Sequence, residues 1–145
     1  MSDLLKDPNF LRAIIMDHYD YPRNFKLVKQ EHYKEVHMAS DSCIDDIYVE
    51  MLMEDGVITD VRFDGVGCTI AMSSTSIMTE LVKGKTIEEA TTIMNKYYEM
   101  IDGKECEEEV LQEAVAFRNV GRQANRIKCA TIGWNGLEKL LKEGK

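Results

Sequence analysis

The chain has 145 residues and a formal net charge of -8, with its lysines and arginines scattered rather than gathered in a stripe. That balance leaves nothing to neutralise a phosphate backbone and excludes a nucleic-acid partner. The N-terminal region carries Asp3, Lys6 and Asp7, and its longest apolar run is Ala13-Ile14-Ile15-Met16. This is too short for a signal sequence or a membrane span, so a cytoplasmic protein is expected, built as one domain over residues 1–145.

Asp7-Pro8 predicts a helix start, with Asp7 as N-cap and proline at the first helical position. Phe10, Leu11, Ile14, Ile15 and His18 share one face of that helix, which must stop before Pro22. His18 on the apolar side reads as a packed, hydrogen-bonded imidazole. Residues 25 to 36 are a polar connection leading to a short strand near Val36 to Ala39, and His32 and His37 are expected to face solvent. From Ile47 the period becomes two. Ile47, Val49, Met51 and Met53, then Val57, Thr59, Val61 and Phe63, predict an antiparallel hairpin turning at Asp55-Gly56. A three-residue loop, Glu54-Asp55-Gly56, with Gly56 in a bulge, pairs Met53 with Val57, Val49 with Val61 and Ile47 with Phe63. This register sets apolar against apolar and is preferred.

The second strand ends at Gly65-Val66-Gly67 and delivers Cys68 to the first turn of a helix, where the helix dipole favours a thiolate. That helix carries Ile70, Ala71, Ile77, Met78, Leu81 and Val82 towards the sheet, keeps Ser73, Ser74 and Ser76 as a small polar part, and ends at Gly84. Thr86 and Glu89 predict a capping box for a helix that carries Ile87, Ala90, Met94, Tyr97 and Ile101 inward and closes near Gly103. An acidic segment over 104–121 includes Cys106 among Glu105, Glu107, Glu108 and Glu109; these carboxylates are expected to raise the thiol pKa and leave a poor nucleophile. Val110, Leu111, Ala114 and Phe117 follow at helical spacing. A final helix from about Asn125 to Lys142 buries Ile127, Ala130, Trp134, Leu137 and Leu141, with Cys129 at the edge of the stripe.

The four cysteines, Cys43, Cys68, Cys106 and Cys129, form no CxxC pair, and in a reducing compartment disulfides are disfavoured. Taken singly, Cys68 and Cys129 read more readily as packed thiols. Together, Cys43, Cys68 and Cys129, with Asp45 two positions after the first, make a tetrahedral set of three sulfurs and one oxygen, which suits zinc or an iron-sulfur unit rather than calcium or magnesium. Arg126 and Lys128 flank Cys129 and would offset the net negative charge of such a site.

Four ordered blocks carry a resemblance. They are Ile15-Met16-Asp17-His18-Tyr19 with Pro22-Arg23-Asn24; Cys43-Ile44-Asp45; Phe63-Asp64-Gly65-Val66-Gly67-Cys68-Thr69-Ile70; and Arg126-Ile127-Lys128-Cys129-Ala130 with Trp134. The chain resembles the iron-sulfur cluster assembly family that includes IscU and the NifU N-terminal domain, most nearly its SufU branch. The branch is suggested by the extra segment at about 104–121 and by Lys128, which stands where IscU-type members have histidine. The resemblance implies an α+β fold, in which a small antiparallel sheet of about three strands is covered on one face by helices. It also implies a metal site of Cys43, Asp45, Cys68 and Cys129. Two positions depart from the family: Ile44 replaces a glycine and Ala124 a proline. Isoleucine resists positive φ, so the loop after Cys43 either runs extended or differs in geometry from the family's, which bears on whether Asp45 or Asp46 faces the metal.

The leading reading is a zinc-dependent sulfur acceptor in iron-sulfur cluster assembly. Cys43 takes persulfide sulfur from a SufS-like cysteine desulfurase, and downstream iron-sulfur assembly proteins receive it. Cys68 and Cys129, on helices, are the anchors. The alternative is a scaffold on which iron and sulfur combine, with a nascent [2Fe-2S] cluster held by Cys43, Cys68 and Cys129. A further alternative is an interaction module with purely structural zinc. Arg23, Lys26 and Lys29 are candidates for contact with an acidic patch of the desulfurase. Hydrolytic metal chemistry is disfavoured, because four protein ligands leave no open position for water.

Overall fold

The computed structural model describes residues 4–39 and 44–143. After a short 3-10 turn at Leu4–Lys6, helix α1 runs Pro8–Asp20. It starts as expected, with the Asp7 side chain accepting the Asn9 N–H and proline in the first turn. Strands β1 (Lys34–Ala39), β2 (Asp46–Glu54) and β3 (Val57–Val66) follow and form one antiparallel sheet in the order β1-β2-β3. Helices α2 (Thr69–Val82), α3 (Ile87–Ile101) and α4 (Glu108–Leu111) come next, then two 3-10 turns at Gln112–Phe117 and Val120–Arg122, and finally α5 (Ala124–Glu143). α5 lies over β1 and β2 while α2 lies over β3, and α1 and α3 pack against this pair. This is the α+β fold expected, with a three-stranded sheet covered by helices.

The hairpin register differs from the one preferred above. Its turn has two residues, with both Asp55 (φ 53°) and Gly56 (φ 78°) left-handed, the conformation that matches the twist of antiparallel strands. Glu54 pairs with Val57 and Met53 with Ile58; the register then slips by one, so Leu52 pairs with Asp60, Met51 with Val61 and Val49 with Phe63. The slip is a bulge at Thr59. It places Ile58 in the core and turns Thr59 to solvent, so a two-residue turn and apolar pairing coexist, a combination an unbulged hairpin cannot supply.

α2 is the central helix. Its N-terminal cap is Cys68, and the run from Ala71 to Thr79 is buried on every side. Its hydroxyls are satisfied internally: Ser73 donates to the Thr69 carbonyl at 2.6 Å, Thr75 to that of Ala71 at 2.8 Å and Thr79 to that of Ser76 at 2.6 Å. Ser74 donates instead across to the Ala130 carbonyl of α5 at 2.7 Å, which Tyr97 also reaches at 2.7 Å, and accepts the Trp134 Nε1–H at 3.1 Å. Small polar residues therefore let α5 and α3 come close to α2 without leaving buried donors unpaired. The capping box between Thr86 and Glu89 is present at the start of α3.

The segment over 104–121 keeps helical conformation for one turn only. Gln112 takes φ 50°, which ends α4, and the tighter 3-10 turn that follows still buries Ala114, Val115 and Phe117. His18, 1% exposed, joins this segment to the rest. Its Nδ1 lies 2.8 Å from Ser76 Oγ on α2 and its Nε2 3.0 Å from Glu113 Oε1.

Candidate metal centre

Three segments distant in sequence converge at one end of the sheet. Pairing of Asp46 with Val66 brings the residue before β2, Asp45, beside the turn that follows β3. Two glycines make this approach possible. Gly65 has φ 121°, and a Cβ there would collide with the Asp46 carbonyl oxygen; a Cβ on Gly67 would lie 3.0 Å from Asp45 Oδ1. Asp45 Oδ1 accepts the Cys68 N–H at 2.9 Å, so the carboxylate is oriented by the same backbone that carries the thiol. Cys68 Sγ in turn accepts the Ala71 N–H at 3.4 Å, which places it at the helix end that stabilises negative charge. Cys129 comes from the second turn of α5, its thiol directed at the Asn125 carbonyl 3.9 Å away.

One carboxylate oxygen of Asp45 and the sulfurs of Cys68 and Cys129 all lie within 4.8 Å of one another. Asp45 is 2% and Cys129 6% exposed. Burial pushes the Cys129 thiol well above its usual range, and the adjacent Cys68 and Asp45 push it further. Three potential anions are thus crowded into a partly dry site, the environment a cation would relieve. The donors fit a thiophilic ion. In a tetrahedral shell with bonds of ~2.0–2.3 Å the donors stand about 3.5–3.8 Å apart, so closure needs a shift of at most about 1.3 Å. The two soft sulfurs disfavour calcium and magnesium.

Cys43 lies outside the described residues. Asp46, the other acidic residue of the loop, is turned away and hydrogen-bonds His37 Nε2; His37 itself stacks on Tyr48 with centroids 4.2 Å apart. Ile44 lies at a bend and is 71% exposed. Arg126 and Lys128 are exposed on the first turns of α5. The cations considered for docking are already paired within the chain: Arg23 with Asp17 at 2.5 Å, Lys26 with Asp64 at 3.9 Å and Lys29 with Glu35 at 3.8 Å. Cys106 is remote from the cluster and donates to Met100 Sδ at 3.6 Å. Its pKa is raised as expected, but the main cause is burial; Glu108 adds to it and Arg118 opposes it.

Sequence reasoning missed two supports of the site. One is the Asp45 bond to the Cys68 amide. The other is the Ser74-Tyr97-Ala130 contact that ties the turn after Cys129 to α2. Gly67 beside Cys68 was the available signal for the first; the second has none at short range.

Comparison with known proteins agrees with this geometry. The family model described as NifU-like N terminal domain matches residues 11–143. The chain is 38% identical over 129 residues to the zinc-dependent sulfurtransferase SufU of Bacillus subtilis, covering 88% of this chain and 86% of that relative. It is 33% identical over 131 residues to the iron-sulfur cluster assembly scaffold protein IscU of Streptococcus pyogenes, covering 90% and 81%. Among solved structures, a candidate iron-sulfur cluster assembly scaffold of the SUF system from Fervidobacterium islandicum superposes with a TM-score of 0.79 at 32% identity, covering 88% of this chain and 93% of the other.

Proposed function

This chain belongs to the NifU-like N-terminal domain family, and from that premise we propose that it is a zinc-dependent sulfur acceptor in iron-sulfur cluster assembly, taking persulfide sulfur from a cysteine desulfurase. The observation that carries the reading is the meeting of Asp45, Cys68 and Cys129 within 4.8 Å; the proposal adds Cys43 as the fourth ligand. Zinc bound to these residues would hold the thiols deprotonated at neutral pH. Cys68 and Cys129 anchor the site, because one caps α2 and the other sits within α5, helices whose backbones are fixed by packing. Asp45 supplies the single hard donor and is held in place by the Cys68 amide. Arg126 and Lys128 offset the surplus negative charge of three thiolates and a carboxylate around a dication.

In the transfer step the Cys43 thiolate attacks the outer sulfur of the desulfurase persulfide. The desulfurase S–S bond breaks, its electron pair leaves on the desulfurase cysteine as a thiolate, and a new S–S bond forms on Cys43, with no net oxidation or reduction. The setting is the cytoplasm, where free thiols persist; iron-sulfur assembly proteins downstream take the sulfur. The test is the Cys43→Ser variant. It is expected to lose stimulation of the desulfurase while keeping the far-UV spectrum of the wild type, and full stimulation would refute the role.

A second reading, a scaffold for a nascent [2Fe-2S] cluster, is supported by the likeness to relatives named IscU. Elemental analysis of protein purified without added metal separates the two: one tightly held zinc and a colourless solution favour sulfur transfer, whereas anaerobic reconstitution to a coloured cluster favours the scaffold. A purely structural zinc is disfavoured by the apolar core, which runs from Leu5 through Phe63 and Trp134 to Leu141 independently of the metal.

A further inference from the structure

On the far half of α2 from the metal centre lies an open groove of about 720 Å³. Its floor is apolar: Ile77 and Leu81 from α2, Ile93 from α3 and Val110 from α4. Its rim carries Glu80, Glu89, Glu109 and Glu113 against a single cation, Lys85. One wall is the segment over 104–121, so this groove exists only because that segment folds back onto α2 and α3. Ile77 is nine residues beyond Cys68, about 13 Å along the helix at 1.5 Å per residue, so the groove is separate from the metal centre.

The charge on the rim is only partly offset from within. Among the described residues, none of the four glutamates is in an ion pair with a lysine or arginine; Glu113 meets His18, Glu80 Oε2 accepts from Asn24 at 3.0 Å, and Glu89 caps α3. The apolar floor is built from helix residues one turn apart, Ile77 and Leu81, facing two more apolar side chains across the groove. That is the layout of a helix-in-groove receptor. A small metabolite would need converging polar groups at depth to orient it; here the polar groups stand at the rim. We infer that this groove docks a basic amphipathic segment of a partner protein, with leucine-like side chains on the floor and lysines or arginines against Glu80, Glu109 and their neighbours. The site is distinct from the one through which sulfur is transferred.

The probe is a labelled 14-residue peptide of leucine and lysine with leucines at helical spacing, titrated into the full chain and read by fluorescence anisotropy and by amide chemical shifts. A peptide with alanine in place of each leucine tests charge alone. The leucine peptide is expected to bind at least about tenfold more tightly, since each buried leucine adds favourable transfer. The double variant Glu80→Gln/Glu109→Gln, which retains hydrogen-bonding side chains, is expected to weaken it about fivefold. Glu31→Gln/Glu54→Gln, which removes the same charge from exposed positions elsewhere, is expected to change it less than twofold. Shifts should centre on residues 77–93 and 108–113. Equal affinity for the two peptides, equal effects of the two double variants, displacement by spermine as effective as by unlabelled peptide, shifts centred on the hairpin, or no binding at all would each overturn the inference. None of these readouts depends on zinc or on the desulfurase.

Discussion

Gly133 lies in α5, one turn beyond Cys129, at the crossing with α2. A Cβ on Gly133 would stand 2.8 Å from both Cβ and Cγ2 of Thr75, and closer still to Thr75 Oγ1. In an exposed helix, glycine to alanine gains about 1 kcal/mol. Here carbon atoms would be held roughly 1 Å inside their ordinary separation of about 3.5–4.0 Å, and Thr75 is fully buried and cannot step aside. Overpacking of this kind costs about 1–3 kcal/mol, plus any backbone shift. With that shift included it outweighs the helical gain, so Gly133→Ala is expected to be net destabilising by up to about 2 kcal/mol. Thr75→Ala in the same chain removes Oγ1 and Cγ2 but leaves Cβ, so it should restore only part of the loss, with a coupling of about 1 kcal/mol in a double-mutant cycle. Urea unfolding of the metal-free protein measures both. The same variant pushes apart the helices that carry Cys68 and Cys129, so zinc affinity, read by competition with a chromophoric chelator, should fall with stability. A Gly133→Ala protein as stable as the wild type, or more so, would refute the packing argument.

Asp45→Asn keeps an acceptor for the Cys68 amide but removes the anionic donor; zinc affinity is expected to drop by at least about tenfold with little change in the far-UV spectrum, as competition titration and circular dichroism would show. Ser74→Ala leaves the Trp134 Nε1–H, buried in the core, without its acceptor and should cost about 1–3 kcal/mol, with a change in tryptophan emission. Glu113 is held below the usual carboxylate range by its hydrogen bond from His18, against the opposing effect of burial. A folded-state pKa below the unfolded value of 4.5 adds stability that is complete above that pH and fades as pH falls through the lower folded value. Glu113→Gln should therefore flatten the acid side of the stability curve below about pH 4.5, as denaturation at a series of pH values would show.

Short-range chemistry was legible in the residues, the length of the hairpin turn excepted. The Asp7 cap, the Thr86-Glu89 box, the turn at Asp55-Gly56 and the arrival of Cys68 at a helix start each depend on groups within a few positions of one another. Period-two and helical spacing likewise marked the buried faces of the sheet and of α5. What these patterns leave open is how many residues separate two paired positions. The bulge at Thr59 keeps Val61 and Phe63 buried but brings Ile58 inward in place of Thr59 while moving the register by one, because the apolar pattern constrains which side chains can be buried and not the count between them. The same holds for contacts closed across the fold. His18 meets Glu113 from 95 positions away, and Asp45 rather than Asp46 turns towards Cys68 and Cys129. The segment over 104–121 becomes a groove wall only once α2 and α3 are in place beneath it. Those choices are made by packing volume and by the need to satisfy buried polar groups, which exist only when the helices have closed on the sheet.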